Sequence, residues 1–291
     1  MRAIQILVDG FAISSLYALA AVGFTLIFGV SGVLNLAHGG IMVVAALVGW
    51  AAAAEFGIGT YGGTLVGVAA GLATAYATYL IVVRPIQRSR AIRPEETEIF
   101  VLTGTLLWGI MIQVGMAYLF SDNPVTIRPL ISGVVNVLGV RTPANEIMIA
   151  VLSWAVIGLL WLLVNRTRTG KALLGASMNP RAVTLLGYEL TSLYLVAWSI
   201  YGVLAGIAGV LMASFLGVST GNAGQLTASA FSIVVLGGLG SVSGSLVAAY
   251  VVGYLETATA YLIAPTLRPI PSLILLVLVV YVRPQGLLGR R

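Results

Sequence analysis

Gly29-Val30-Ser31-Gly32-Val33-Leu34-Asn35-Leu36-Ala37-His38-Gly39-Gly40 is a short polar, glycine-rich stretch that holds the only histidine of a 291-residue chain. It lies between two apolar runs, Phe11 to Phe28 and Ile41 to Ala54, each suited to lipid. Lipid offers no partner to backbone N–H and C=O groups, so such a break is stable at membrane depth only where other protein or a water-filled cavity satisfies it. Two readings follow. Ser31, Asn35 and His38 either satisfy the backbone freed at the break or, with Gly39, line a translocation path or its gate.

Working outward, 59% of residues are hydrophobic, only 8% are charged, and the mean hydropathy is +1.04. A water-soluble fold could not cover its exterior with so little polar surface. The apolar runs are about 17 to 25 residues long and lack the alternation of barrel strands, so they predict helices. The expected fold is all-α and polytopic, a single transmembrane domain over residues 1–291 with about eight membrane segments, broken or re-entrant in places. The runs fall near 11–34, 39–54, 60–83, 98–120, 146–164, 192–216, 226–262 and 269–282. The seventh is too long for one span and carries its own break, with Gly237, Gly238, Gly240, Ser241 and Gly244. It either re-enters the membrane or crosses it as two short spans.

The net charge of +6 is carried between the apolar runs. Arg84, Arg88, Arg90 and Arg93 form one cluster, Arg166, Arg168, Lys171 and Arg181 a second, and Arg283, Arg290 and Arg291 a third. Such clusters mark cytoplasmic loops and are not interleaved with aromatics, so they predict topology and not nucleic-acid binding. Counting spans back from the first cluster places the amino terminus outside, with Asp122 to Asn145 as an outer loop. One arginine precedes the first run and no small-residue cleavage site follows it, which predicts a retained helix. Pro94 with Glu95, Glu96 and Glu98 reads as the start of the fourth span, with acids near the positive end of the helix dipole.

Chemistry-bearing residues are sparse. With no cysteine and one histidine, the usual metal ligands are lacking and no nucleophile meets a base, so no catalytic residue, metal or cofactor is expected. Thr169-Gly170-Lys171-Ala172 imitates part of a phosphate loop, but Asn165 replaces its first glycine and Ala172 its hydroxyl residue. ATP binding by this chain is therefore excluded. The inner loop Asn165 to Thr191 mixes leucines with polar residues, as a docking surface or a solvated connector would. Gly63, Gly67 and Gly71, like Gly202 and Gly206, recur every fourth residue, which lets helices approach closely within one subunit or between two. Glu256 sits inside an apolar run, where it either lines a path or accepts hydrogen bonds from a neighbouring helix.

Three stretches carry a family resemblance: Leu16 to Val30 followed by Val33 to Gly39, Thr167 to Gly187, and Val235 to Ser245. Together, in this order, they resemble the LivH-type permease of branched-chain amino acid ABC importers. The resemblance implies the transmembrane fold of ribose- and vitamin-B12-type importers, in the cell inner membrane. It also implies four partners: a LivM-type second permease, two cytoplasmic ATPases and an extracytoplasmic substrate-binding protein. By the same resemblance, Thr169, Gly170, Lys171, Ala172, Asn179, Arg181 and Gly187 belong to the loop that couples to an ATPase. Lys171 stands where arginine is expected, and Ser243 where proline is frequent. Branched-chain amino acids, related amino acids, urea and short amides are the solutes implied. The alternative is a proton-coupled secondary transporter or channel in which His38 and Glu256 carry protons.

Overall fold

The structure, a computed structural model, describes residues 2–93, 95–120, 122–137, 139–283 and 285–288. Helix α1 (Arg2–Ser31) is followed by α2 (His38–Ala54) and α3 (Gly59–Ala77), which runs through a π-helical turn at Thr78–Val83 into α4 (Arg84–Arg88). Next come α5 (Thr97–Phe120), a hairpin of β1 (Val134–Val137) and β2 (Val140–Pro143), and α6 (Ala144–Arg166). Two short helices, α7 (Arg168–Met178) and α8 (Pro180–Leu185), lead to α9 (Leu190–Phe215), α10 (Ala223–Gly237), α11 (Val242–Leu262) and α12 (Ile270–Val282).

Among the described residues, six helical stretches are long and apolar enough to cross a membrane, and the shorter α2 is apolar as well. The seventh apolar run proves to be two helices: α10 has 15 residues, α11 has 21, and Gly238 to Ser241 joins them. At 1.5 Å per residue α10 is roughly 22 Å long, short of the ~30 Å hydrocarbon core. The 3₁₀ turn Thr220–Asn222 extends it. The small β1–β2 hairpin is an addition to the expected all-helical fold; it lies in the loop between α5 and α6. Helix α5 begins at Thr97, with Glu98 in its first turn. Pro94 lies outside the described residues, as do Arg290 and Arg291.

Two ends of the bundle can be told apart. At one, Arg88 donates to Thr191 Oγ1 at 3.3 Å, and Leu287 N–H bonds Leu236 O at 2.7 Å. At the other, Val125 pairs with Val218, Asn145 Nδ2 donates to Ser214 O at 3.0 Å, and Thr220 donates to Asp122. The described residues of the three basic clusters lie at the first end and the long loop at the second, so the charge rule takes the first as the inner end.

Helix α1 runs through the middle and packs on α11, α9 and α6. Its best membrane window is 89% buried, against 11% for α5 and 6% for the span that ends in α12, so these two face outward. Large side chains of α1 and α9 interlock there, among them Leu16, Leu19, Phe24, Trp198 and Tyr201, all fully buried. The glycine repeats are used within the chain. A Cβ on Gly67 would stand 2.7 Å from Val210 Cγ2, and one on Gly71 would stand 2.7 Å from Gly206 Cα, so α3 closes on α9 backbone to backbone.

Candidate functional site

Helix α1 stops at Gly32, whose φ of +66° suits glycine, after a last bond from Gly32 N–H to Phe28 O at 2.8 Å. Residues 33–37 then run without helical bonding until α2 begins at His38. The break lies at mid-depth. Ala37 abuts Gly109, midway along α5, where a Cβ would come within 3.1 Å of Ala37 Cα, and His38 meets Tyr201, midway along α9.

Side chains replace the missing ladder. Asn35 Oδ1 accepts Ala37 N–H at 3.0 Å, so its amide nitrogen is the atom that donates to Tyr201 Oη at 2.9 Å. Tyr201 therefore has its own proton for His38 Nδ1, 2.9 Å away, which assigns the imidazole proton to Nε2. Thr105 Oγ1 accepts Leu36 N–H at 3.1 Å, and Thr227 Oγ1 accepts Gly39 N–H at 2.9 Å. Asn35 and His38 are fully buried, with Phe24 edge-on to the imidazole at 5.2 Å between ring centres. The histidine lone pair is thus spent on Tyr201, and Nε2 has no hydrogen-bond partner among the described residues. Ser31 turns back to bond Ile27 O at 2.7 Å.

The first residues of α2 and α10 meet here. Gly39 is packed so tightly on Ala223 and Thr227 that a Cβ there would collide with the α10 backbone. Beside this contact, α5 and α10 part to leave a cavity of about 270 Å³ whose walls include Leu36, Gly40, Gln113, Gly224 and Phe231. A second cavity of about 610 Å³ opens at the outer end of α2, between Trp50, Thr60 and Arg128.

The second break is built differently. Gly238 and Gly240 have φ of +102° and +82°, and Ser241 caps α11 by accepting Gly244 N–H at 3.2 Å. Gly237 and Gly244 touch backbone to backbone: a Cβ on Gly237 would lie 2.5 Å from Ser245 N. Gly240 lies against Gly29, near the end of α1, and the tail after α12 pairs with Leu236 and Gly237 through Leu287 and Leu288 N–H. Glu256, further along α11, is 1% exposed; Tyr17 donates to its Oε2 at 2.6 Å, and Arg268 Nε stands 3.9 Å away. The carboxylate thus ties α11 to α1 and to the turn before α12.

In the inner loop, Thr167 caps α7 by accepting Gly170 N–H at 2.9 Å, and Asn179 caps α8 by accepting Ala182 N–H at 3.1 Å. Gly170 and Ala172 are buried, and a Cβ on Gly170 would meet the α6 backbone. Thr169, Lys171, Asn179 and Arg181 are exposed, and Gly187 turns the chain with a φ of +87°. Leu174, Met178, Leu185 and Leu186 stand in the open, Leu185 at 88%. The sequence reading missed Tyr17, Thr105, Gln113, Tyr201 and Thr227. Gln113 alone is an isolated polar residue in an apolar run, which was a usable signal; Ser15, Thr103, Ser199 and Gln225 stand within two residues of Tyr17, Thr105, Tyr201 and Thr227, so nothing set those four apart.

Residues 6–282 match the family described as branched-chain amino acid transport system, permease component. The chain is 26% identical over 304 residues to the Escherichia coli high-affinity branched-chain amino acid transport system permease protein LivH, covering 99% of this chain and 96% of that one. It is 28% identical over 308 residues to the Pseudomonas aeruginosa permease protein BraD, with the same coverage. A probable LivH of Methanocaldococcus jannaschii is 26% identical over 95% of this chain and 89% of its own length.

Proposed function

Because the chain belongs to the branched-chain amino acid transport system permease component family, we propose that it carries branched-chain or closely related amino acids through the inner membrane, paired with a LivM-type second permease. As a member it is a multi-pass inner-membrane permease of an ABC importer and not an enzyme; ATP hydrolysis belongs to partner ATPases, and an extracytoplasmic binding protein delivers the solute. The substrate proposal rests on what the E. coli and P. aeruginosa relatives are named for.

The inner loop carries the coupling assignment. Four large apolar side chains exposed beside Thr169, Lys171, Asn179 and Arg181, on two capped helices braced by Gly170 and Ala172, form a compact surface at the inner end. Closure of the ATPases pushes this surface and so tilts α6 and α9. In the proposed path the solute passes the face of α5 and α10 beside the first break. Ser31, Asn35, His38 and Gly39 hold that wall, Gly237, Gly238, Gly240, Ser241 and Gly244 form the hinge at its inner end, and Glu256 fixes α11 to α1. A proton-carrying role for His38 is disfavoured, because its one lone pair is occupied and the ring is enclosed.

The test changes Leu185 and Leu186 together to glutamate. Both side chains are exposed, so insertion and folding are expected to stand while binding-protein-dependent, ATP-driven uptake falls by at least tenfold. Unchanged uptake in proteoliposomes would remove the coupling assignment.

A further inference from the structure

The cavity between α5 and α10 is a half-open groove, with Leu106, Ile110 and Gly224 of its lining exposed. Its volume of about 270 Å³ equals roughly nine waters of liquid volume and approaches the ~300 Å³ lower bound of ligand pockets. It lies at mid-depth, level with the first break, because Gly109 and Leu36 both reach its wall. None of its walls carries a charge; Leu36, Leu106, Ile110 and Phe231 supply apolar surface. Two side chains bring polar atoms. Thr227 is already engaged with Gly39 and Ala223, which leaves the amide of half-buried Gln113 as the polar handle.

We infer that this cavity is a mid-membrane selectivity station that takes the branched aliphatic side chain of the passing amino acid, with the Gln113 amide facing the solute's polar end. The inference rests on the solute class proposed above. An uncharged apolar wall excludes lysine- or glutamate-like side chains, since an unpaired charge there would be desolvated without compensation. The larger the aliphatic group, the more of the wall it covers, so leucine is favoured over alanine. Discrimination inside the permease would then add to whatever the binding protein provides.

Gly224 gives a clean test. It lines the cavity, it is helical and exposed, and a Cβ added there meets nothing within 4 Å, so a larger side chain alters the cavity lining without disturbing its neighbours. Gly158 on α6 is equally open but remote from the cavity and serves as the control. The full complex, with both permeases, ATPases and binding protein, is reconstituted in proteoliposomes, and uptake of leucine and alanine is measured. In Gly224→Leu the leucine-to-alanine uptake ratio should drop about tenfold, the discrimination one or two methylenes command in an apolar pocket. Gly224→Ala should give a smaller drop in the same direction, which keeps the test decisive if the leucine variant fails to assemble, and Gly158→Leu should match the parent. An unchanged ratio in both Gly224 variants, with leucine still imported, would overturn the station alone, as would equal loss of both solutes, which marks a void filled by lipid or by the second permease. Absence of leucine uptake by the unmodified complex would instead overturn the solute reading on which the station depends.

Discussion

The two glycine-rich breaks solve one problem in opposite ways. At the first, residues 32–37, side chains from α5, α9 and α10 reach in to satisfy the interrupted backbone, and Asn35 and His38 are sealed from solvent. At the second, residues 238–241, the chain turns on two left-handed glycines, its neighbours pack backbone on backbone, and Leu239 and Gly240 are open to the inner end. A break held by side chains from three helices is a fixed part of the wall. We propose that one held by its own backbone and a short tail pivots at Gly238 and Gly240, because a few terminal residues can absorb large dihedral changes. In this account the first break shapes the path and the second lets it move.

The comparison is broken most severely at Gly237. Gly237→Val puts a side chain where the Gly244–Ser245 backbone already lies, and neither side can yield. A loss of about 3 kcal/mol or more is expected, seen as loss of the folded, monodisperse permease in detergent. Tyr201→Phe attacks the first break by leaving Asn35 Nδ2 and His38 Nδ1 buried without a partner. That should cost about 2 kcal/mol and lower the thermal midpoint, with the same value at pH 6 and pH 8, because no proton enters. Thr105→Val removes a single acceptor, that of Leu36 N–H, and should cost about 1 kcal/mol by the same assay. Truncation after Arg283 is the mildest change. It deletes two backbone bonds to Leu236 and Gly237, should cost no more than about 1 kcal/mol, and should loosen only the second break, as exchange of the Gly238 amide would report.

Much of this architecture was legible before any coordinates. Apolar runs gave the helices, because lipid forces every backbone group to bond within its own segment. Basic clusters gathered at one end of the bundle, and Gly63, Gly67 and Gly71 announced a close helix contact. The seventh run reads as broken at its glycines, re-entrant or two short spans, and it is two helices parted by the left-handed geometry at Gly238 and Gly240; hydropathy, which registers composition alone, left open which of the two arrangements they make. The partners of the first break were out of reach for another reason: Tyr201 lies 166 positions from Asn35, and nothing local to either residue announces the other. The cavity was equally hidden, since small residues such as Gly224 and Ala228 look like ordinary packing positions until the facing helix is known not to fill them.

Hydrogen exchange in the assembled complex, with and without ATP held in the closed state, tests the fixed wall and the pivot in one measurement. The account predicts that amides of residues 36–39 stay protected in both states, while those of residues 238–245 change protection when ATP binds. Deprotection of residues 36–39 on ATP binding, with residues 238–245 unaffected, would contradict it.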